Sequence, residues 1–137
     1  MVKQIEVACA IIEKDGLVLV AQRSEAMSLP LKWEFPGGKL DPHESPAACL
    51  DREIWEEMGI GIRIHAPLLP SDWRYPTFAI RLHPFLCTMI SDDIRLAEHK
   101  EIRWLAPNEL PALDWAEADV PVLRSYLQFL AGVPDGD

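Results

Sequence analysis

Basic residues are few in this sequence. Its 137 residues include 13 Lys and Arg against 22 Asp and Glu, which gives a formal net charge of −9 at pH 7. Clustered Lys and Arg supply most of a protein's affinity for nucleic acids and anionic membranes. The charge balance therefore argues against both partners, and we expect no nucleic acid polymer and no membrane among its ligands. If the target carries phosphate, a metal ion must mediate the contact.

Cysteines are also few, and their spacing suits neither disulfides nor zinc. Cys9, Cys49 and Cys87 are widely separated and contain no Cys-x-x-Cys pair. The four histidines are scattered too, with no metal-ligand spacing between any two of them. A disulfide framework and a zinc site are therefore not expected, and we interpret the three cysteines as buried thiols.

Long hydrophobic runs are absent. No apolar segment reaches the roughly 18 residues that a membrane-spanning helix needs, and Glu6 interrupts the N-terminal stretch where a secretory signal would be apolar. We therefore expect a soluble, cytoplasmic protein. With 49% hydrophobic and 26% charged residues, the composition is that of an ordinary globular protein, and the length predicts one domain over residues 1–137.

The first part of the chain predicts a β-hairpin followed by a long loop. Two β-rich runs, residues 5–12 and 17–22, are separated by a segment that contains Asp15 and Gly16, a strong hairpin signal. Residues 24–45 then hold three prolines, two glycines and no sustained hydrophobic period. Long ordered loops in compact domains usually carry function, so we expect this loop to belong to a functional site.

A helix is predicted between Ser45 and Gly59. Ser45 is suited to be the N-cap, Pro46 fits the first turn because an N–H has no helical partner there, and Gly59 ends the helix. Apolar residues recur with the spacing of a buried stripe. The stripe consists of Ala47, Leu50, Ile54 and Met58.

The remainder of the chain is mostly strand-like and ends in an amphipathic helix. Partial alternation of apolar residues covers much of residues 61–105. Asp119 is suited to be the N-cap of the last helix. The expected buried face of that helix consists of Val120, Leu123, Leu127 and Leu130. The order of strands, loop, helix, strands and helix predicts an α+β fold with a mixed sheet in a sandwich.

Three glutamates lie on one face of the first predicted helix. Glu53, Glu56 and Glu57 are spaced i, i+3 and i+4, so their carboxylates point the same way, and like charges at this spacing are mildly destabilising. Arg52 is the only cation nearby, and one arginine cannot neutralise three carboxylates. The face is either solvated or a platform for a divalent cation such as Mg²⁺, which accepts carboxylate oxygens. The lack of interleaved lysines favours the platform.

Residues 38–60, GKLDPHESPAACLDREIWEEMGI, resemble the Nudix box, Gly-x5-Glu-x7-Arg-Glu-U-x-Glu-Glu-x-Gly-U, in which U is apolar. The fixed positions are filled by Gly38, Glu44, Arg52, Glu53, Ile54, Glu56, Glu57, Gly59 and Ile60. The resemblance implies a Nudix-type α/β/α sandwich around a mixed β-sheet. It also implies hydrolysis of a nucleoside diphosphate linked to another group, with Mg²⁺ as cofactor or Mn²⁺ in its place.

The resemblance further implies roles for individual residues. The implied metal ligands are the carbonyl oxygen of Gly37 and the carboxylates of Glu53, Glu56 and Glu57. Arg52 would hold Glu53 in position by a charge-assisted hydrogen bond, and Glu44 would join the metal site through water. The implied catalytic residues are Glu53, Arg52, Glu56 and Glu44. MutT-like relatives favour Glu53 as the general base, but the resemblance does not identify that residue here. The number of metal ions is also open.

An acid outside the box is a further candidate metal ligand. In MutT-like relatives, an acid six residues before a tryptophan can ligate metal, and Glu98 precedes Trp104 by six in EHKEIRW. The alternative interpretation of Glu98 is an exposed loop acid.

Shorter segments resemble the MutT-like nucleoside triphosphate pyrophosphohydrolases, including the branch that acts on CTP and oxidised pyrimidines. These segments are AQRS, WEFPGGK and AEADVPVL. By resemblance, Arg23 contacts the nucleotide, Phe35 lines the base pocket, Lys39 lies near the phosphates and Asp119 binds the base edge. An aspartate accepts a hydrogen bond from an exocyclic amine when ionised and donates one only when protonated. Asp119 therefore limits which bases can bind but does not identify one.

These four residues also have structural interpretations. Phe35 could be a core residue, and Asp119 could cap its helix, a role that can coexist with base binding. Arg23 and Lys39 could be ordinary surface charges.

The segment SDWRYPTFAI departs from the MutT-like group. Its aromatic residues Trp73, Tyr75 and Phe78 could stack on a base, and Phe78 could instead belong to the core. Phe78 is kept as a candidate substrate-binding residue.

The sequence thus predicts metal-dependent hydrolysis of a nucleoside triphosphate to the monophosphate and pyrophosphate, with cytidine and oxidised or modified bases as candidates. One alternative is hydrolysis of an ADP-sugar or a dinucleoside polyphosphate. A noncatalytic Nudix-fold binding module is another, which the complete set of box glutamates disfavours. The preferred nucleotide, and whether the protein is a monomer or a homodimer, stay open.

Overall fold

The computed structural model describes residues 3–132, so residues 1–2 and 133–137 of the predicted domain lie outside the described part. Its strands are β1 (Lys3–Lys14), β2 (Leu17–Gln22), β3 (Trp33–Glu34), β4 (Gly37–Lys39), β5 (Ile62–Pro67), β6 (Ser71–Arg74), β7 (Phe78–Met89) and β8 (Glu101–Leu105). Its helices are α1 (Pro46–Met58) and α2 (Val120–Leu130), with 3-10 turns at Pro107–Ala112 and Glu117–Asp119. Within residues 3–132, no helix combines the length and apolar character needed to cross a membrane.

The described strands form one mixed sheet with β1 near its centre. β1 pairs in parallel with β7, from Lys3 opposite Phe78 to Ile12 opposite Cys87, and antiparallel with β2 and β4. β7 pairs antiparallel with β5 and β6, while β2 pairs antiparallel with β3 and β8. The residues of β1 from 8 to 12 are all buried, as expected of a central strand covered on both faces. The predicted α+β class and mixed sheet are confirmed.

The two helices cover opposite faces of this sheet, because alternate residues of β1 point to opposite sides. On one side, Cys49, Leu50, Ile54 and Met58 of α1 pack with Ala8, Ala10 and Ile12. On the other side, Val122, Leu123 and Tyr126 of α2 pack with Cys9 and Ile11. This is the predicted α/β/α sandwich. The three cysteines are free and buried, also as predicted.

Helix α1 begins and ends where its sequence predicts. Ser45 Oγ accepts a hydrogen bond from the backbone N–H of Ala48 at 3.1 Å, and Gly59 adopts a left-handed φ of 66° that only glycine reaches without strain. Three of the four residues of the predicted stripe are fully buried, while Ala47 is half-buried. The packing of this stripe leaves the glutamates of α1 on the other sides of the helix.

The predicted buried face of α2 is wrong in part. Val120 and Leu130 are exposed, at 36% and 45%, whereas Val122 and Tyr126 are buried with Leu123. The helix is turned so that the large ring of Tyr126 fills the interior while its hydroxyl reaches the carboxylate of Glu13. The prediction considered only aliphatic residues and so overlooked Tyr126, whose side chain combines an apolar ring with a polar hydroxyl.

The segment 24–45 is not one continuous loop, because it contains β3 and β4. Glu34 lies opposite Ala21, and Gly37 lies opposite Cys9. These strands are too short for a side-chain period, so the sequence pattern could not predict them. A Cβ at Gly37 would lie only 1.9 Å from the carbonyl oxygen of Ala8, so this close approach of β4 to β1 requires glycine.

Candidate active site

One cavity of about 700 Å³ opens between the sheet, the 24–45 segment and the turn before α2. Its floor is formed by side chains of β1 and β7, among them Val7, Cys9 and Leu82. Its volume lies in the range of roughly 300–1,000 Å³ that is typical of small-molecule sites. Eight of the predicted site residues line this cavity. They are Arg23, Phe35, Gly37, Lys39, Glu53, Glu57, Phe78 and Asp119. The other four, Glu44, Arg52, Glu56 and Glu98, lie outside its described wall.

Arg52 gathers the acids that precede and follow it. Its Nε and Nη2 donate to the two carboxylate oxygens of Glu44 at 2.8 and 2.9 Å, and its Nη1 donates to Glu53 at 2.9 Å and to Glu56 at 3.3 Å. The hydrogen bonds from Arg52, followed by one from the backbone N–H of Asp41, lower the pKa of Glu44 to about 2. The bond to Glu44 also contributes most to the raised pKa of Arg52. Glu44 and Glu56 therefore face the guanidinium group.

Glu53 is held between Arg52 and the glycines of β4. A Cβ at Gly38 would lie 2.2 Å from Cδ of Glu53, so the carboxyl group occupies space that any other residue at position 38 would fill. Gly37 and Gly38 line the cavity beside Glu53. Backbone and carboxylate oxygens can therefore approach one another here. We call this part of the cavity the acid end, and it consists of Gly37, Gly38, Glu53 and Glu57.

Glu57 turns toward the interior of the protein. Its side chain is 20% exposed, and its Oε2 atom is buried with no hydrogen-bond partner among the described residues. Burial raises the pKa of Glu57 to about 7, and the negative charges of Glu34, Glu53 and Glu98 add to the rise while His99 opposes it. Ionised Glu57 is therefore costly unless a positive charge accompanies it.

The acid end fits a hard divalent cation in its chemistry. Residues 3–132 contain no group of three His, Cys, Asp or Glu side chains already arranged around one point as metal ligands. Even so, the carboxylates of Glu53 and Glu57 lie beside the glycine backbone of β4, and a bound cation would relieve the mutual repulsion between Glu57 and its acidic neighbours. Glu53 and Glu57 line the cavity at this end, and the carboxylate of Glu34 belongs to the cavity lining as well.

The opposite end of the cavity is apolar with one buried acid. Asp119 is 6% exposed, and its Oδ2 accepts a hydrogen bond from the backbone N–H of Phe35 at 2.9 Å. Burial, with the charge of Glu34 in addition, raises its pKa well above the usual range. Asp119 stands at the N-cap position of α2, but its side chain makes no cap hydrogen bond within the described part of the chain. The predicted capping role is wrong because the carboxyl group turns to Phe35.

Aromatic rings form the walls around this acid. Phe35 is 2% exposed, lines the cavity and packs on Trp115 with ring centroids 4.9 Å apart, so its core and pocket interpretations are compatible. Phe78 also lines the cavity and stacks on Tyr75 at 4.9 Å. Trp73 packs against the hydrophobic core instead. Phe35, Phe78, Tyr75 and Asp119 line the end of the cavity where the sequence resemblance predicts base binding, and we call it the base end.

Arg23 is bound to the protein itself. Its Nε and Nη2 donate to the carbonyl oxygen and the hydroxyl of Ser28 at 2.6 and 3.0 Å, and its Nη1 donates to Glu34 at 2.8 Å. The side chain thus holds the loop that carries Met27, Ser28 and Leu29 onto the cavity. Lys39 also lines the cavity, but the residue is exposed, so a surface-charge interpretation of Lys39 stays open.

Sequence reasoning missed two residues of the site, Glu34 and His99. Oε2 of Glu34 lies 2.7 Å from Nε2 of His99, although 65 positions separate them in the chain. Burial lowers the pKa of His99, but the hydrogen bond to Glu34 and the charges of Glu34 and Glu57 outweigh it, so the pKa is raised overall. Both residues lie within segments that the resemblance singled out, WEFPGGK and EHKEIRW. The scattered spacing of the histidines gave no reason to choose His99.

Replacing Glu57 with Gln should remove a pH-dependent loss of stability from the metal-free protein. The carboxyl group titrates near 4.5 when unfolded and near 7 when folded, so its contribution to stability is complete below 4.5 and is lost as the pH rises to about 7. This difference corresponds to about 3 kcal/mol. Urea denaturation in EDTA should therefore show Glu57→Gln clearly more stable than the wild type at about pH 8 and only slightly more stable at about pH 5.

Glu56→Gln removes the same charge from an exposed position of α1 and is the control. It should stabilise the protein by much less than Glu57→Gln at the higher pH, because water already solvates the Glu56 carboxylate. A Glu57→Gln effect of equal size at both pH values would contradict the prediction.

Comparisons with known proteins agree with this architecture. Residues 2–126 match the NUDIX domain family. The CTP pyrophosphohydrolase of Escherichia coli is 34% identical over 132 residues, covering 96% of this chain and 98% of the relative. A putative 8-oxo-dGTP diphosphatase 2 of Mycobacterium tuberculosis is 34% identical over 140 residues, covering 99% and 94%.

Solved structures agree as well. The solution structure of the E. coli ORF135 protein superposes with a TM-score of 0.83 at 33% identity, covering 98% of this chain and 96% of that one. The MutT protein of methicillin-resistant Staphylococcus aureus, described as a Nudix hydrolase, gives a TM-score of 0.76 at 43% identity, covering 94% and 99%. The family inferred from residues 38–60 is thus confirmed, and the chain belongs to the Nudix hydrolase family.

Proposed function

We propose that this protein hydrolyses a nucleoside triphosphate to the monophosphate and pyrophosphate, using a divalent cation, Mg²⁺ or Mn²⁺. The observation that carries the proposal is that one cavity joins an acid end, with Glu53 and Glu57, to an apolar base end with Asp119. A nucleotide has the same division into a charged and a flat apolar part. The names of the relatives, a CTP pyrophosphohydrolase and 8-oxo-dGTP diphosphatases, support the same reaction. We propose that the substrates are free nucleotides in the cytoplasm.

At the acid end, the chain's own residues would hold the cation and orient the phosphates. A bound divalent cation supplies charge neutralisation and a water of lowered pKa. We assign its ligation to Glu53, Glu57 and the carbonyl oxygen of Gly37, with Glu56 and Glu98 able to complete the set. Glu98 acts on the pKa of Glu57 through its charge, which supports its inclusion although it is exposed.

Three further residues would support the reaction. Arg52 keeps the Glu53 carboxylate in place at 2.9 Å, while Glu44 fixes Arg52 from the other side. Lys39 lines the cavity next to the glycines and would bind phosphate oxygens. We assign the general base to Glu53, whose carboxyl group lies at the cavity wall against Gly38.

At the base end, Asp119 would read the Watson–Crick edge. Its burial and its raised pKa favour the neutral carboxyl group, which offers a hydroxyl donor in addition to a carbonyl acceptor. Cytosine presents an acceptor nitrogen next to an amine donor, which matches that pair. Phe35 and Phe78 would contact the faces of the base, and Arg23 would shape this end through the Ser28 loop.

The proposal is tested by a pyrophosphate-release screen with Mg²⁺ over common, oxidised and methylated nucleoside triphosphates, ADP-ribose and a dinucleoside polyphosphate. We expect equimolar monophosphate and pyrophosphate from a cytidine or damaged-base triphosphate. Activity on the sugar or dinucleoside compounds alone would overturn the assignment of the base end. Inactivity on the whole panel would favour a binding module.

Glu53→Gln should reduce kcat by two or more orders of magnitude, roughly the contribution of a general base, while leaving the fold intact. The amide is nearly isosteric with the carboxylate, but it neither ligates a cation well nor accepts a proton. Steady-state kinetics on the best triphosphate measures the effect. Asp51→Asn, an exposed change on the same helix, is the matched control and should keep wild-type kcat. A Glu53→Gln variant with wild-type turnover would remove Glu53 from both roles.

Asp119→Asn should change which base is preferred. Its amide oxygen can still accept from Phe35 N–H, but the amide hydrogens stay on nitrogen, so that bond fixes which atom donates to the base and which accepts; the neutral carboxyl group can carry its hydrogen on either oxygen. We expect kcat/KM for the best substrate to fall roughly ten- to a hundredfold, as a mismatched buried polar contact of about 1–3 kcal/mol implies. The same triphosphate panel measures the new order of preference. Asp114→Asn, at an exposed ion pair with Lys32, is the control, and an unchanged order in Asp119→Asn would exclude base recognition by Asp119.

A further inference from the structure

A continuous row of four charged or polar side chains connects the base end of the cavity to its acid end. Arg23 Nη1 donates to Oε1 of Glu34 at 2.8 Å, and Oε2 of Glu34 lies 2.7 Å from Nε2 of His99. On its other side, the His99 ring presents Nδ1 to Oε2 of Glu57 at 3.8 Å. His99 is thus the link between the Arg23–Glu34 pair and Glu57.

The facing atoms of His99 and Glu57 are both buried without a partner. The His99 side chain is 1% exposed, and neither its Nδ1 nor Oε2 of Glu57 has a hydrogen-bond partner among residues 3–132. Buried polar atoms in proteins are nearly always satisfied, because an unsatisfied one costs about 1–3 kcal/mol. Their separation of 3.8 Å is too long for a hydrogen bond, and a small rotation of the Glu57 side chain would form one.

The backbone fixes His99 firmly with respect to both neighbours. The N–H of Ala97 donates to the carbonyl oxygen of Glu57 at 3.1 Å, and the N–H of Lys100 donates to that of Gln22 at 2.9 Å. The segment that carries His99 is therefore tied to the end of α1 on one side and to β2 on the other. The ring itself lies behind the cavity wall and is not part of its lining.

We propose that His99 is a positioning residue for Glu57: its Nδ1–H donates to Oε2 of Glu57 and leaves Oε1 to ligate the divalent cation. Glu34 holds Nε2 and so fixes the plane of the imidazole ring, as groups behind a metal ligand commonly do. This inference rests on the proposed function, because it takes Glu57 to be a cation ligand.

Cation binding without nucleotide tests the inference. Free Mn²⁺ is measured by electron paramagnetic resonance in titrations of the wild type, Glu57→Gln, His99→Gln, His99→Asn and His65→Gln. In His99→Gln, the new amide can reach Glu34 in place of Nε2 but leaves Glu57 without a donor, so the Kd for Mn²⁺ should rise roughly 10- to 100-fold. In His99→Asn, the shorter side chain places its amide near the position of Nδ1 and should recover part of that affinity.

His65→Gln is the matched control, because His65 is exposed on β5 and bonds Thr88 away from the cavity. It should keep the wild-type Kd. An unchanged Kd in His99→Gln, with a raised Kd in Glu57→Gln, would overturn the inference and leave the proposed function standing. No binding by the wild type, or no effect of Glu57→Gln, would instead overturn the assignment of Glu57 as a ligand and the inference with it.

A second measurement avoids substitutions at His99 altogether, in case they unfold the protein. Long-range ¹H–¹⁵N spectra of the wild-type histidine rings are recorded with and without Mg²⁺. We expect the Nδ1 signal of His99 to move as the hydrogen bond to Glu57 forms, while the ring signals of His65 stay in place. A stationary His99 signal at Mg²⁺ concentrations that displace bound Mn²⁺ would overturn the inference.

Discussion

The parallel pairing of β1 with β7 is the constraint on which the rest of the structure depends. It runs from Lys3 opposite Phe78 to Ile12 opposite Cys87 and sets which residues of β1 face each side. Ala8, Ala10 and Ile12 support α1 and so place its glutamates. Val7 and Cys9 face the other side and form the floor of the cavity. A shift of one residue in this register would exchange the two faces and would separate the helix from the cavity it serves.

Negative charge exceeds positive charge throughout the site. Arg52 meets Glu44, Glu53 and Glu56, while the only cationic partners of Glu34 are Arg23 and His99 in the described part of the chain. The pKa values of Glu57 and Asp119 are raised mainly by burial, and the neighbouring negative charges raise them further. The fold tolerates these groups because the packing of α1 and α2 supplies the stability that the acids lower.

Much of this structure could be predicted because its signals are local. The signals for α1 lie close together in the sequence: its caps at Ser45 and Gly59 and the spacing of its glutamates. The helix in the structure begins and ends where these signals predict. By contrast, β3 and β4 are held by backbone hydrogen bonds between distant segments, which leave no side-chain pattern.

The same limit applies to the candidate site. Asp119 was predicted from resemblance, but its bond to Phe35, 84 positions away, replaced the expected cap. His99 and Glu34 meet only once β8 and β3 are aligned on β2, so no spacing rule could join them. The orientation of α2 likewise depended on where the Tyr126 ring could be buried.

Glu34 acts on both ends of the cavity at once. It bonds His99 behind the acid end, it bonds Arg23 beside the base end, and its charge raises the pKa values of both Glu57 and Asp119. A substitution that alters the charge at either end is therefore felt at the other through a single carboxylate. Under the proposed function, base preference and cation affinity are therefore coupled through Glu34.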